Sequence, residues 1–207
     1  MRKKPNPGPR LWKHDRKLAS EGLLCGIDEV GRGPLAGNVV VACVVLDLSA
    51  RPISGLNDSK QLTPEFREAL FPLICERALA WSIGEATPEE IDTINILQAT
   101  FLAMRRALES LRIRPALLLV DGNQNIPEVD LPQKTLVGGD GLSASIAAAS
   151  VLAKVIRDNA MRAWDVRLPA YGFARHKGYA TAEHRKVLLQ NGLSSIHRRS
   201  FCSLFAQ

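Results

Sequence analysis

The chain has no C-x-x-C pair; its four cysteines, Cys25, Cys43, Cys75 and Cys202, are scattered along it. Three of them sit in apolar stretches, where a cysteine is usually a small buried hydrophobe. That spacing offers no disulfide framework, and a reducing compartment, the cytoplasm, is expected. No apolar run approaches the ~18 residues of a membrane span. The basic N-terminus lacks the apolar stretch that follows it in a secretory signal. The four histidines have no zinc spacing, and no G-x-x-x-x-G-K-[ST] loop occurs. These absences set aside a zinc site and a P-loop nucleotide enzyme. There is no internal repeat and no second hydrophobic core.

What is present suits one globular body. The 207 residues are 46% hydrophobic and 23% charged, enough for a single core without disulfides or a structural metal. The formal charge is +6, and residues 1–20 account for all of it, with seven Lys/Arg against Asp15. Arg2, Lys3, Lys4, Arg10, Lys13, Arg16 and Lys17 therefore read as a basic, flexible N-terminal arm over residues 1–22. Such an arm is either solvated or touches nucleic acid. A catalytic domain is expected over residues 23–207. A second basic cluster, Arg175, Lys177, Arg185, Lys186, Arg198 and Arg199 against Glu183, suits phosphate backbones.

From Leu23 onward the pattern is α/β. LLCGID is a short apolar run, and the β-branched run NVVVACVVLDL (38–48) suits a buried strand. PISGLNDSKQL (52–62) reads as a loop. Thr63-Pro64-Glu65 opens a helix with a threonine cap, proline at the first helical position and an acid at the positive end. Leu70, Leu73 and Ile74 form its expected inner face. ALAWSIGEA (78–86) reads as a strand, and Thr87-Pro88-Glu89-Glu90 is a capping box opening a helix to about Leu111. PALLLVDG (115–122) reads as a buried strand ending at Asp121, and QKTLVGGD (133–140) as a shorter one ending at Asp140. Residues 143–165 form a long helix rich in small side chains, and Thr181 caps another that stops at Asn191-Gly192. The expected fold is α/β, a mixed sheet flanked by helices, with sites at the carboxyl ends of strands.

Asp28, Asp121 and Asp140 each follow an apolar run and precede a glycine or a turn. One such aspartate is most often a turn or cap residue. Three of them, with Glu29 beside the first, point to a shared site at one sheet edge. Adjacent acids raise an objection, because successive strand side chains point to opposite faces. Convergence of Asp28 and Glu29 needs the strand to end or bulge there, which Gly31 and Gly33 permit. Four carboxylates without a Cys/His set suit a hard cation, Mg²⁺ or Mn²⁺. Joined to phosphate-binding surfaces, they suggest metal-assisted phosphodiester chemistry, with water activated and the leaving oxygen stabilised.

DEVGRGPLAG, GLNDSKQL, IDTINILQAT, LLLVDGN, SIAAASVLAKVIRD, YGFARHKGYATAEH and IHRRSF, in order from about residue 23 to 205, resemble the motifs of bacterial ribonuclease HII. The resemblance implies a ribonuclease-H-like fold with a small helical C-terminal part. It implies a monomeric endonuclease that hydrolyses the RNA strand of RNA–DNA hybrids. It also implies cutting 5′ of single ribonucleotides in duplex DNA, leaving 5′-phosphomonoesters. The family's metal-holding acids map to Asp28, Glu29, Asp121 and Asp140. The backbone that reads the ribose 2′-hydroxyl maps to Gly31, Arg32 and Gly33, and the tyrosine that packs on the neighbouring sugar to Tyr179. A hydroxyl that both donates and accepts distinguishes RNA from DNA, and glycines let backbone approach it closely. Three positions depart from the family pattern. Gly138-Gly139 precedes the fourth acid where Lys-Gly is usual, Asn38 replaces a proline, and GLSS replaces a Gly-Pro.

Lys60 reads as a phosphate contact or a solvated loop lysine, and Lys154 as support for the site or an exposed helix lysine. Tyr171 reads as packing, and His176 and His184 as surface or phosphate-adjacent residues. Ribonuclease HIII shares this core but carries an extra N-terminal domain, for which the ~22 residues before the first motif leave no room. A non-catalytic nucleic-acid-binding protein is the rival of another class, and the intact set of four acids argues against it.

Overall fold

The computed structural model describes residues 8–19 and 22–205. Five strands, β1 (Leu24–Val30), β2 (Val39–Leu46), β3 (Ala78–Ala86), β4 (Leu117–Asp121) and β5 (Gln133–Leu136), form one sheet in the order β3-β2-β1-β4-β5. β1, β2 and β3 run antiparallel, whereas β1, β4 and β5 run parallel. β2 is buried along its whole length, which is why its run of β-branched residues does not alternate with polar ones. Val40, Ala42, Val44 and Leu46 face one helical layer; Val39, Val41, Cys43 and Val45 face the other.

Among the described residues six α-helices accompany the sheet: α1 (Gly8–Leu18), α2 (Pro64–Arg77), α3 (Pro88–Glu109), α4 (Ala144–Arg167), α5 (Phe173–His176) and α6 (Ala182–Asn191). α1, α2 and α4 cover one face, and α3 covers the other. The small residues of α4 serve close approach. A Cβ on Gly26 of β1 would lie 2.1 Å from the Ser145 carbonyl carbon, so helix and strand meet backbone to backbone. The expected caps are present: Thr63 accepts from Phe66 N–H, Thr87 and Glu90 form a reciprocal capping box, and Thr181 accepts from His184 N–H.

Several boundaries differ from expectation. β5 stops at Leu136, and Asp140 lies beyond it in a short 3₁₀ turn, Gly139–Gly141, reached through a left-handed Gly138. Leu73 is exposed, because the buried stripe of α2 runs through Arg67, Leu70 and Ile74. α3 is kinked at Asn95, whose φ is 66° and whose side chain caps Leu97 and Gln98.

The N-terminal arm needs a larger correction. Residues 1–7 lie outside the described residues, but Gly8–Leu18 is a helix, not a flexible arm. Leu11 and Trp12 are buried in the α2–α4 layer. Asp15 accepts from Ser145 N–H at 2.8 Å and from the Ser143 hydroxyl at 3.1 Å, so it satisfies the start of α4. Arg10 and Arg16 donate to the carbonyls of Gly141, Leu48 and Ala50. The apolar stripe of Leu11, Trp12 and Leu18 follows helical spacing, and the surrounding cations concealed it.

The C-terminal part wraps around the chain between β1 and β2. Leu35, Ala36, Met161, Tyr171, Phe173, Leu188 and Ile196 belong to one apolar cluster there. Backbone bonds from Leu35 to Gly178 and from Gly37 to Ile196, with a bridge between Ala36 and His197, tie residues 31–37 to it.

Candidate active site

The carboxylates converge by a route other than a bulge. β1 runs regularly through Asp28, Glu29 and Val30 in its pairing with β2. On its other side the parallel ladder with β4 ends at Ile27 and Val120. Asp28 and Asp121 are the next residues of the two strands, so they stand side by side where the strands part. Both project to the α4 face, since Ile27 and Val120 point to the α3 face. Glu29 starts from that opposite face and shares its field with Asp121 over the sheet edge. Asp140 arrives from the turn before α4, where Gly139 donates its N–H to Asp121 Oδ1 at 2.7 Å.

Crowding of like charge marks the group. Asp28 is buried, and its carboxyl is held well above the usual range by loss of water and then by Glu29 and Asp121. The Ser150 hydroxyl pulls it back, and Asp140 pushes it up again. Burial raises Glu29; Arg32, 3.3 Å away, lowers it; Asp121 raises it. Asp140 is raised by burial and by Asp58, while Lys60 at 3.3 Å pulls it down. Asp58 is a fifth acid at this edge, and sequence reasoning passed over it although it lies in the GLNDSKQL motif.

An oxygen-only donor set under mutual repulsion fits a hard divalent cation. The Lys60 ammonium and the Arg32 guanidinium stand against it where positive charge is favoured. Among the described residues no three acids, histidines or cysteines are already gathered at ligating distance. Asp121 is turned to Gly139, Glu29 to Arg32 and Asp140 to Lys60.

Gly31-Arg32-Gly33 follows directly, and its two glycines answer different demands. Gly31 has φ +93°, and a Cβ there would lie 2.3 Å from Arg157 Nε and 2.8 Å from the Asn38 carbonyl. Gly33 has an ordinary φ, and a Cβ there would meet nothing within 4 Å. The interior requires a glycine at 31; at 33 the open space lies outside the protein.

Two buried arginines back this loop. Arg198 Nη2 donates to the carbonyls of Gly31 (2.5 Å) and Gly37 (2.6 Å), and Nη1 to those of Arg32 (2.9 Å) and Pro34 (2.8 Å). Arg157 donates to the carbonyls of Ala36, Asn38 and Lys177. Burial and the charge of Arg157 bring the Arg198 guanidinium down to about 9, which leaves it charged at neutral pH.

A family model described as Ribonuclease HII matches residues 25–204. A ribonuclease HII of Dechloromonas aromatica (strain RCB) is 57% identical over 180 residues, which is 87% of this chain and 91% of that protein. The chain belongs to the ribonuclease HII family. Another ribonuclease HII, of Shewanella sp. (strain MR-7), is 53% identical over 195 residues, covering 92% of this chain and 93% of that one. The solved ribonuclease H2 from Pyrococcus horikoshii OT3 matches with a TM-score of 0.73 at 28% identity, covering 88% of this chain and 96% of that one. Ribonuclease HII membership makes the chain an endoribonuclease, a hydrolase of the ribonuclease H kind acting on RNA–DNA hybrids.

Within this ribonuclease HII frame the remaining expected residues sort unevenly. Tyr179 is 41% exposed beside the Gly-Arg-Gly loop, with the Arg157 guanidinium 5.9 Å from its ring. Lys154 lies one turn beyond Ser150 on α4, but its ammonium is paired with Asp158 at 2.7 Å. Arg198 is not the surface cation expected of a phosphate-binding cluster, and Arg175 is paired with Glu183. His176 and His184 are not surface residues: both are buried with His197 around Phe173. His184 Nε2 and His197 Nε2 are 3.0 Å apart, and burial lowers both rings, His197 to about 4. Tyr171 is packing, stacked on Phe173. Sequence reasoning missed Arg157 and Asp92 and placed Arg198 on the surface, although SIAAASVLAKVIRD, IDTINILQAT and IHRRSF contain them. Among the described residues no helix is long and apolar enough to cross a membrane.

Proposed function

We propose that this chain is a divalent-metal-dependent endonuclease, using Mg²⁺ or Mn²⁺, that cleaves the RNA strand of hybrids and the 5′ side of single ribonucleotides in duplex DNA. It acts as a cytoplasmic monomer. The observation that carries the reading is the juxtaposition of Asp28, Glu29, Asp121 and Asp140, in which burial and neighbouring acids raise Asp28, Glu29 and Asp140, with an exposed glycine that nothing inside the protein requires.

Asp28 and Asp121 would hold the cation from the parting strands, Glu29 from over the edge and Asp140 from the turn before α4. When bound, the metal supplies an activated water and positive charge for the leaving oxygen. The chain itself binds and orients. Gly31, Arg32 and Gly33 offer backbone to the ribose 2′-hydroxyl, and Tyr179 packs on the neighbouring sugar. Lys60, exposed at the rim, meets a phosphate, and Lys154 supports the α4 side through Asp158.

The test is cleavage of a duplex carrying one ribonucleotide, with Mg²⁺ and Mn²⁺ titrated, beside the all-DNA duplex of the same sequence. Cleavage is expected to require metal and the ribonucleotide. Asp28→Asn is expected to abolish it while hybrid binding persists. Undiminished cleavage by that variant removes the metal assignment, and equal cutting of both duplexes removes the hydroxyl reading.

A further inference from the structure

We propose that Arg198 is a positioning residue for ribose recognition and that Asp92 is its outer anchor. This rests on the reading of Gly31-Arg32-Gly33 as the element that meets the 2′-hydroxyl, and it identifies what aims that element.

The argument starts from the peptide plane. A trans peptide sends its C=O and its N–H to opposite sides, and no cis bond occurs among the described residues. Arg198 draws the carbonyls of Gly31 and Arg32 inward. The partner N–H groups of those two peptides, on Arg32 and Gly33, therefore point outward, and both residues are exposed. Successive N–H groups aimed the same way make a concave donor pair for a hydroxyl or phosphate oxygen. The absence of a side chain at Gly33 leaves the approach to that pair open. Holding four carbonyls at once requires a planar, five-donor group, which arginine has and lysine lacks.

The placement of Arg198 is in turn fixed from α3. Asp92 Oδ2 accepts from Arg199 N–H at 2.8 Å, and Oδ1 accepts from Ser200 N–H at 3.0 Å and from its hydroxyl at 2.5 Å. These bonds lock the 3₁₀ turn Arg199–Phe201 that begins immediately after Arg198. Arg198 N–H itself donates to the Leu35 carbonyl at 2.9 Å. Asp92, Arg198 and the amides of Arg32 and Gly33 form one chain of contacts. It joins three motifs that lie far apart in sequence.

The experiment measures binding in chelator of two duplexes, one with a single ribonucleotide and one all DNA, by wild type, Arg198→Lys and Asp92→Ala. The readout is the ratio of the two dissociation constants, with a thermal melt of each variant. Arg198→Lys is expected to reduce the wild-type preference by about tenfold, or ~1.4 kcal/mol, with all-DNA affinity unchanged. Asp92→Ala keeps the arginine but releases the turn that places it, and is expected to reduce the preference by a few fold. A merely structural arginine would lower the melting temperature or both affinities together and keep the ratio. A folded Arg198→Lys with wild-type preference overturns the proposal. If Arg198→Lys does not fold, wild-type preference in Asp92→Ala overturns it. A wild type without any preference overturns the underlying hydroxyl reading and the proposal with it, whatever the variants do.

Discussion

Replacing Asp28 with asparagine should stabilise the protein while it removes activity. Asp28 is 5% exposed and faces the charges of Glu29, Asp121 and Asp140. Its folded pKa is raised, so the folded state prefers the neutral acid. The stability linked to this preference is fully present below the unfolded carboxylate pKa. It is lost as pH rises through the folded value. Asparagine keeps the acceptor for Glu29 N–H, 2.7 Å away, and gains an N–H for a neighbouring carboxylate. A buried polar group with poor compensation costs on the order of 1–3 kcal/mol, and a charge costs at least as much. At ~2–4 °C per kcal/mol for a domain of this size, the melting temperature should rise by roughly 2–12 °C. Calorimetric melts in chelator should show that rise grow as pH increases and vanish on the acid side, where Asp28 is itself protonated. With Mg²⁺ added the order should narrow or reverse, because the ion stabilises the form that binds it. A variant that melts below wild type at the higher pH, or whose gain does not depend on pH, would refute the account of Asp28 as a charge strained by its neighbours.

The other predictions separate causes that sequence alone confounds. Gly31→Ala should destabilise the protein by about 1–3 kcal/mol, whereas Gly33→Ala should leave the melt within ~0.5 kcal/mol and lower cleavage at a single ribonucleotide; equal melting losses would refute the assignment of the two glycines. Lys60→Ala should alter stability little, because the lysine end of the pair is exposed to water, but it should move the acidic limb of the kcat/KM profile to higher pH, since Lys60 pulls Asp140 down; an unmoved limb would separate Lys60 from that carboxyl. The His197 ring, held at about 4 against 6.5 unfolded, contributes stability that is full above 6.5 and lost as pH falls to about 4. That window is worth about 3 kcal/mol, and urea melts of His197→Gln should show a flatter loss across it.

The parts of this fold legible in sequence are those fixed by short-range chemistry. Thr63, Thr87 and Thr181 announce their helices because a cap and its N–H donor lie within one turn. β2 is legible because burial on both faces leaves no reason for alternation. α1 was hidden because cations outnumber the few apolar positions that hold it down. The acids were legible as a set, but their means of convergence was not. Parting of β1 from β4 beside an intact β1–β2 ladder is a property of the assembled sheet. Arg157 and Arg198 were least legible, because an arginine is rarely buried and a basic motif reads as surface. Their carbonyl partners lie more than a hundred residues away for all but one bond, from Arg157 to Lys177.

The two ends of the site are referenced to the same rigid element. Ser150 of α4 lies beside Asp28, whose carboxyl its hydroxyl lowers, and Arg157, seven residues later on the same helix, holds the carbonyls of Ala36 and Asn38 behind the Gly-Arg-Gly loop. Seven residues of helix rise ~10 Å, and a helix does not stretch. On the proposed reading, the distance between the hydroxyl that is recognised and the phosphodiester that is cut is therefore set by α4. Loop motion does not set it. The close contact of Gly26 with Ser145 fixes α4 against β1 at its other end, so that the helix cannot slide. A larger residue at Gly26 should then disturb the position of the cut, beyond its cost in stability. Mapping of product ends for Gly26→Ala on a duplex with one ribonucleotide should show cleavage spread to neighbouring bonds or lost. A variant that stays folded and cuts at the wild-type bond with wild-type sharpness would remove α4 as the common reference.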